Sequence, residues 1–112
     1  MKKYNAVLKI QKGYNSLEEL KTLETDDLQE GLALLDDYEN KFEEDIIVVV
    51  NRDVYEYRIE QHCVDKDKKL NKYIIWVKRN SEDKKEILKS IFYLSLEGCK
   101  NFCIEYDEFL ND

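Results

Sequence analysis

Three stretches between Ile46 and Arg79 carry β-branched and aromatic residues in unbroken runs or at every second position, and this pattern constrains the fold more than any other feature. Ile46 to Val50 is a continuous apolar run, the signature of a strand covered on both faces. Asn51, Arg52 and Asp53 suit a tight turn into Val54 to His62, where Tyr55, Tyr57 and Ile59 share one face and Glu56, Arg58 and Glu60 the other, so a hairpin is expected. Asp65 to Lys69 reads as a charged loop. Lys72 to Arg79 follows as a strand, with Tyr73, Ile75 and Val77 opposite Ile74 and Trp76 and both faces covered. Near the start, Tyr4, Ala6, Leu8 and Ile10 alternate with Asn5, Lys9 and Gln11, which predicts another strand, closed by a turn at Gly13 to Asn15.

Helical periods occupy two other regions. Ser16 and Glu19 have capping-box spacing, and Thr25 followed by Asp26 and Asp27 suits a second helix start, so residues 16 to 42 are expected to be one long helix or a short one followed by a longer one. Leu28, Gly31, Leu32, Leu35, Tyr38 and Phe42 fall in one stripe at spacings of three and four, with Asp26, Glu30 and Asp37 on the opposite side; Glu39 falls inside the stripe, so it lies at the stripe's edge or the helix ends near it. Ser81, Glu82 and Asp83 open a further helix with Ile87, Leu88, Ile91, Phe92, Leu94 and Ser95 inward, and Gly98 is placed to end it. Phe102, Ile104 and Tyr106 then alternate with Cys103 and Glu105, which predicts a closing strand.

The expected order is therefore β-α-β-β-β-α-β: one compact α+β domain over residues 1 to 112, with a mixed sheet of about five strands and helices packed on one face. A 43% apolar and 12% aromatic content supports a folded core at this length. The order approaches the ferredoxin-like pattern with an added hairpin. Two segments, the Lys2-Lys3 strand leading to a helical region with Leu17 and Leu20, and Glu97-Gly98-Cys99 between a helix and a closing strand, resemble the barstar family of acidic ribonuclease inhibitors. The three middle strands depart from that pattern, so the resemblance implies at most a barstar-like variant.

Charge narrows the function classes. Twelve acids and two lysines lie between Glu18 and Asp45, a formal −10 in a chain of net −7. Such a density repels nucleic acid and anionic membrane and attracts a basic protein surface over about a Debye length. A helix stabilised for its own sake would place lysines four residues after its glutamates; here Asp26, Asp27, Glu30, Asp36 and Asp37 repel one another without local compensation. The alternative is an acidic face that serves only solubility.

Other chemistry finds little support. Three glycines, none clustered, supply neither a phosphate-cradling loop nor a nucleophile elbow. Asp26-Asp27 and Asp36-Asp37 are poor magnesium pairs, since adjacent helical residues diverge by about 100 degrees, and Asp67-Lys68-Lys69 resembles the tail of a nuclease signature but falls in a predicted loop. His62, Cys63, Cys99 and Cys103 could in number fill a tetrahedral zinc site, though their spacing matches no common knuckle. Lys66, Lys68, Lys69 and Lys72 form a basic region that Tyr55, Tyr57, Tyr73 and Trp76 would have to flank to stack on bases. An odd cysteine count without framework spacing fits a reducing compartment, and no run approaches the roughly 20 apolar residues of a membrane span, so a cytoplasmic protein is expected.

The resulting expectation is a small acidic cytoplasmic binding protein, not an enzyme, without cofactor or metal. It would inhibit or neutralise a basic nucleic-acid-handling protein by occlusion, in the manner of immunity proteins or of phage and mobile-element inhibitors such as anti-CRISPR proteins that mimic nucleic acid. Asp26, Asp27, Glu30, Asp36, Asp37, Glu43 and Glu44 would meet the partner's arginines and lysines, with Tyr38 as an anchor. Direct nucleic-acid and membrane binding are not expected, and the protein would be a monomer or homodimer. The competing expectations are an accessory α+β domain that homodimerises through a sheet edge or the tyrosine-rich hairpin, and a small zinc protein.

Overall fold

A computed structural model describes residues 2 to 14 and 16 to 111. It is an α+β fold built on one six-stranded, wholly antiparallel sheet in the order β2-β1-β3-β4-β5-β6. The strands are β1 (Tyr4–Gln11), β2 (Leu17–Thr25), β3 (Ile46–Arg52), β4 (Tyr55–Asp65), β5 (Leu70–Asn80) and β6 (Lys85–Tyr93). A short helix α1 (Leu28–Leu32) runs into a 3-10 segment (Ala33–Tyr38), and a longer helix α2 (Leu96–Asn111) ends the described chain.

The expected strands at 4–10, 46–50, 54–62 and 72–79 are all present, and alternation fixes their faces. Tyr4, Ala6, Leu8, Val48, Val50, Tyr57, Ile59, Tyr73, Ile75 and Val77 are buried together against Leu28, Leu32, Leu35, Leu96, Cys99 and Cys103. Burial of side chains such as Leu32 and Ile75 contributes about 1.5–3 kcal/mol each. Gly31 lets α1 lie close to the sheet: a Cβ there would sit 3.3 Å from the Ala6 Cβ and 3.4 Å from a Val50 methyl.

Three expectations are corrected. Residues 17 to 25 are an edge strand paired with β1, so Ser16 and Glu19 cap no helix, and helix begins only after Asp27. Residues 85 to 93 are the opposite edge strand, paired with β5. Residues 102 to 106 lie inside α2, and Gly98 sits in its first turn instead of ending an earlier helix. There, a Cβ would come within 3.1 Å of Ser95 Oγ and of the Tyr93 ring, so glycine permits the tight step from β6 into α2. The sheet is consequently antiparallel throughout, with six strands where about five in a mixed sheet were expected. The two segments that resemble barstar are built differently here: Leu17 and Leu20 stand on a strand, and Glu97-Gly98-Cys99 opens a helix.

Four of the five connections between successive strands are hairpins. Asp53, at a φ of 51°, turns β3 into β4, and Asp65 Oδ1 accepts from the amides of Asp67 and Lys68 at 3.0 and 3.1 Å to shape the turn into β5. Gly13, at a φ of 76°, lies in the first turn as expected; Asn15, placed in the same turn, is outside the described residues. The remaining connection carries the chain from β2 through α1 and the 3-10 segment to β3, and this acidic crossover shares one face of the sheet with α2. Among the described residues the other face has no helix over it, so Ile74 and Trp76 of β5, expected under cover, are only half-buried there.

Candidate partner interface

Folding sorts the charge by layer. Residues 26 to 45 and 96 to 111 together hold thirteen acids against Lys41 and Lys100, a formal −11, so the rest of the chain, mostly strands, is net positive by four. The acidic part is the crossover and α2, which touch each other over the sheet.

The eight residues expected to meet a partner divide into two groups. Four have partners within the chain. Asp26 accepts from the Lys3 amide at 2.9 Å and pairs with Lys2 at 3.5 Å; the Lys3 hydrogen bond first, then Lys2, hold its carboxyl below the ordinary value. Asp27 is the N-cap of α1, accepting from the Gln29 amide at 3.0 Å. Asp36 takes both of its short contacts, 2.8 and 3.0 Å, from Lys100, and Glu43 pairs with Lys66 at 3.1 Å. The other group comprises Glu30, Asp37 and Glu44, which are exposed and make no ion pair among the described residues, together with the half-buried Tyr38. Glu105 and Glu108, expected on a closing strand and a tail, lie on α2 and extend the same exposed acidic layer.

The stripe expected to face inward does so from Leu28 to Leu35, which leaves Glu30 and Asp37 outward. Phe42 lies beyond the 3-10 segment. With Ile10, Tyr38 and Ile46 it lines a cavity of about 540 Å³ at the end of the sheet, bordered by Glu43, Glu44, Lys41, Lys66 and Lys69. Two amides hold this corner in place. Gln61, fully buried, donates to the Tyr38 carbonyl at 2.8 Å and accepts from the Tyr73 hydroxyl at 3.0 Å, while Asn71 Nδ2 donates to the carbonyls of Glu39 and Lys41 at 3.1 and 2.9 Å.

At the other end, α2 is pinned through Asp107, which accepts from the hydroxyls of Tyr4 and Tyr57 and, at 2.8 Å, from Arg52 Nε. Burial pushes this carboxyl up, but the hydrogen bonds from Tyr4, Tyr57 and Arg52 outweigh it and the group stays below the usual value. A second, smaller cleft of about 320 Å³ opens beside it, lined by Asp26, Asp27, Gln29, Ile104 and Glu108 among others. None of these network residues was legible as such, because Tyr4 and Asp107 are 103 positions apart and nothing local links them.

The remaining candidates do not assemble. His62 points from the open face of the sheet, 3.0 Å from both Asp45 and Glu60, whereas Cys99 and Cys103 are buried under α2 on the other face, so the four proposed zinc ligands do not converge. Among the described residues no group of three or more His, Cys, Asp or Glu side chains is placed to hold a metal ion. Burial raises the Cys99 thiol to about 12 and the Cys103 thiol still further, which suits inert packing groups. Tyr57 and Tyr73 are core residues and Trp76 stands on the opposite face, so the aromatics form no common stacking platform beside the lysines. Among the described residues no helix is long and apolar enough to cross a membrane. Comparison with known family models, with curated proteins and with solved structures gave no match.

Proposed function

We propose that the protein binds a basic, nucleic-acid-handling protein through its acidic helical layer and blocks that protein's nucleic-acid surface, in the manner of an immunity protein or a phage or mobile-element inhibitor. The observation that carries this reading is the segregation of charge: thirteen acids against two lysines in the crossover and α2, with Glu30, Asp37, Glu44, Glu105 and Glu108 exposed and without ion pairs among the described residues. Carboxylates on a packed layer present the same kind of acceptor to arginine and lysine that phosphates do. Asp26, Asp27, Asp36 and Glu43 shape the layer while adding to its field; Glu30, Asp37 and Glu44 are the first contacts, and Tyr38 with the adjoining cavity is the anchor point. The protein acts by occlusion and needs no catalytic group.

The test is capture of partners at low and high salt by the natural protein and by the triple variant Glu30→Gln, Asp37→Asn, Glu44→Gln. A captured protein should be basic, should be released by salt, and should lose its binding to DNA or RNA as the natural protein is titrated in. The variant should retain it weakly. Equal capture by both proteins, or a captured partner whose nucleic-acid binding is undisturbed, would refute the reading.

A further inference from the structure

The face of the sheet opposite the helices is uncovered, and we infer that it binds a second copy of this chain, face to face. Paired strand registers place Val7, Thr22, Val49, Arg58, Trp76 and Ser90 in one row across it, and Lys9, Glu19, Ile47, Glu60, Ile74 and Phe92 in the next. Ile47, Val49, Ile74, Trp76, Ile87 and Phe92 stand on this face; Ile47 is already buried, Val49, Ile74 and Trp76 are half-buried, and Ile87 and Phe92 on β6 are 57% and 55% exposed. Six strands at about 4.8 Å spacing, by eight residues at about 3.4 Å rise, give a surface of roughly 780 Å². A stable interface buries about 800 Å² per partner.

Charge selects the occupant. Lys9, Arg58, Lys72 and Lys78 on this face stand against Glu19, Glu24, Glu56 and Glu60, so it is balanced on a chain whose other layer repels its own copy. The acids Glu19 and Glu24 lie on β2 at one side, and Lys72 and Lys78 on β5 towards the other. A twofold axis along the strands reverses the strand order between copies. It lays β2 of one copy over β6 and the flank of β5 of the next, bringing Glu24 towards Lys78, Glu19 towards Lys72, and Val7 over Trp76. Lys72 and Lys78 now lie 5.9 and 5.8 Å from the centres of the Phe92 and Trp76 rings, and Lys78 also pairs with Glu56 at 3.8 Å; in the dimer both lysines turn to the acids of the other copy and leave the rings free to pack.

Edge-to-edge pairing is the rival geometry, and both edges are blunted. The register slips at Leu8/Lys9 beside β2 and at Val77/Lys78 beside β6, the bulges and charged residues that discourage strand addition. The acidic helical layer stays outside such a dimer, so the inference stands independently of what that layer binds.

Sedimentation equilibrium of the natural protein should give twice the mass of one chain. Ile87→Glu with Phe92→Glu, at exposed positions that the twofold sets opposite Glu24 and Glu19 of the other copy, should give a monomer with unchanged circular dichroism. Glu24→Lys and Lys78→Glu should each weaken the dimer at least tenfold, and their combination should restore it. A natural protein that is monomeric at all concentrations overturns the inference, as does a dimer that survives the face variants or is lost in the edge variant Leu20→Lys instead. None of these outcomes bears on capture by the acidic layer, which is read on a different surface.

Discussion

Asp107 ties three parts of the chain together, taking hydrogen bonds from Tyr4 on β1, Arg52 at the end of β3 and Tyr57 on β4 while itself belonging to α2. Removing it leaves the buried Arg52 guanidinium without its main counter-charge, so Asp107→Ala should cost about 3–5 kcal/mol in denaturant unfolding. Because the folded state holds Asp107 below its ordinary value of 3.8, the stability it contributes is complete above that value. It is lost as pH falls through 3.8 towards the folded value. At high pH the tyrosines act in the opposite sense. Burial raises Tyr73 to about 12 from 10.0, and raises Tyr4 and Tyr57 as well, so stability should be intact below pH 10 and decline as the pH climbs towards 12. Thermal unfolding across pH 2 to 12 should therefore give a broad plateau with two shoulders, and Asp107→Ala should flatten the acid shoulder. Thiol reactivity checks the core separately. Half-buried Cys63 should label readily in the native protein, while Cys99 and Cys103, both fully buried, should label only on unfolding.

At the scale of elements, sequence patterns located the central strands and failed at the edges. β4 and β5 advertise themselves because one face is buried more deeply and burial enforces alternation, and β3 does so by its unbroken apolar run, buried at five of seven positions. β2 and β6 are exposed on most positions, so nothing forces a period of two, and their strong helix formers, Leu17-Glu18-Glu19-Leu20-Lys21 and Lys85-Glu86-Ile87-Leu88-Lys89, set a misleading helical period. Pairing with β1 and β5 overrides local preference there. In α2 the inward stripe Leu96, Cys99, Lys100, Cys103 and Asp107 includes two charged residues, which hid it, while Phe102, Ile104 and Tyr106 mimicked a strand. Amide exchange settles these assignments directly: β2 should protect only the alternate amides that face β1, whereas a helix over 17 to 25 would protect consecutive ones. Gly31 offers a second check. Gly31→Leu would drive a side chain into Ala6 and Val50 and should destabilise the fold by about 1–3 kcal/mol through overpacking.

For the whole molecule, the acidic run from Glu18 to Asp45 proves to be two things. Its first part, with Glu18, Glu19 and Glu24, belongs to an edge strand, and its second part forms the crossover that joins α2 in an acidic layer over the sheet. The sequence shows the acids on one helical region with Asp26, Glu30 and Asp37 outward, but not that Asp36 pairs with Lys100 or Asp26 with Lys2, or that Glu105 and Glu108 add to the layer, since these depend on contacts far apart in the chain. The layer is tied to the sheet by Asp107 at one end and by Gln61 with Asn71 at the other. Gln61→Leu should accordingly weaken partner binding without changing charge, by loosening the backbone at Tyr38 and Lys41. The most direct measurement is the affinity for a captured partner as a function of salt, compared between the natural protein and the Glu30→Gln, Asp37→Asn, Glu44→Gln variant. The account predicts slower association, at least tenfold weaker binding and a shallower salt dependence for the variant. Identical affinity and identical salt slope would contradict it.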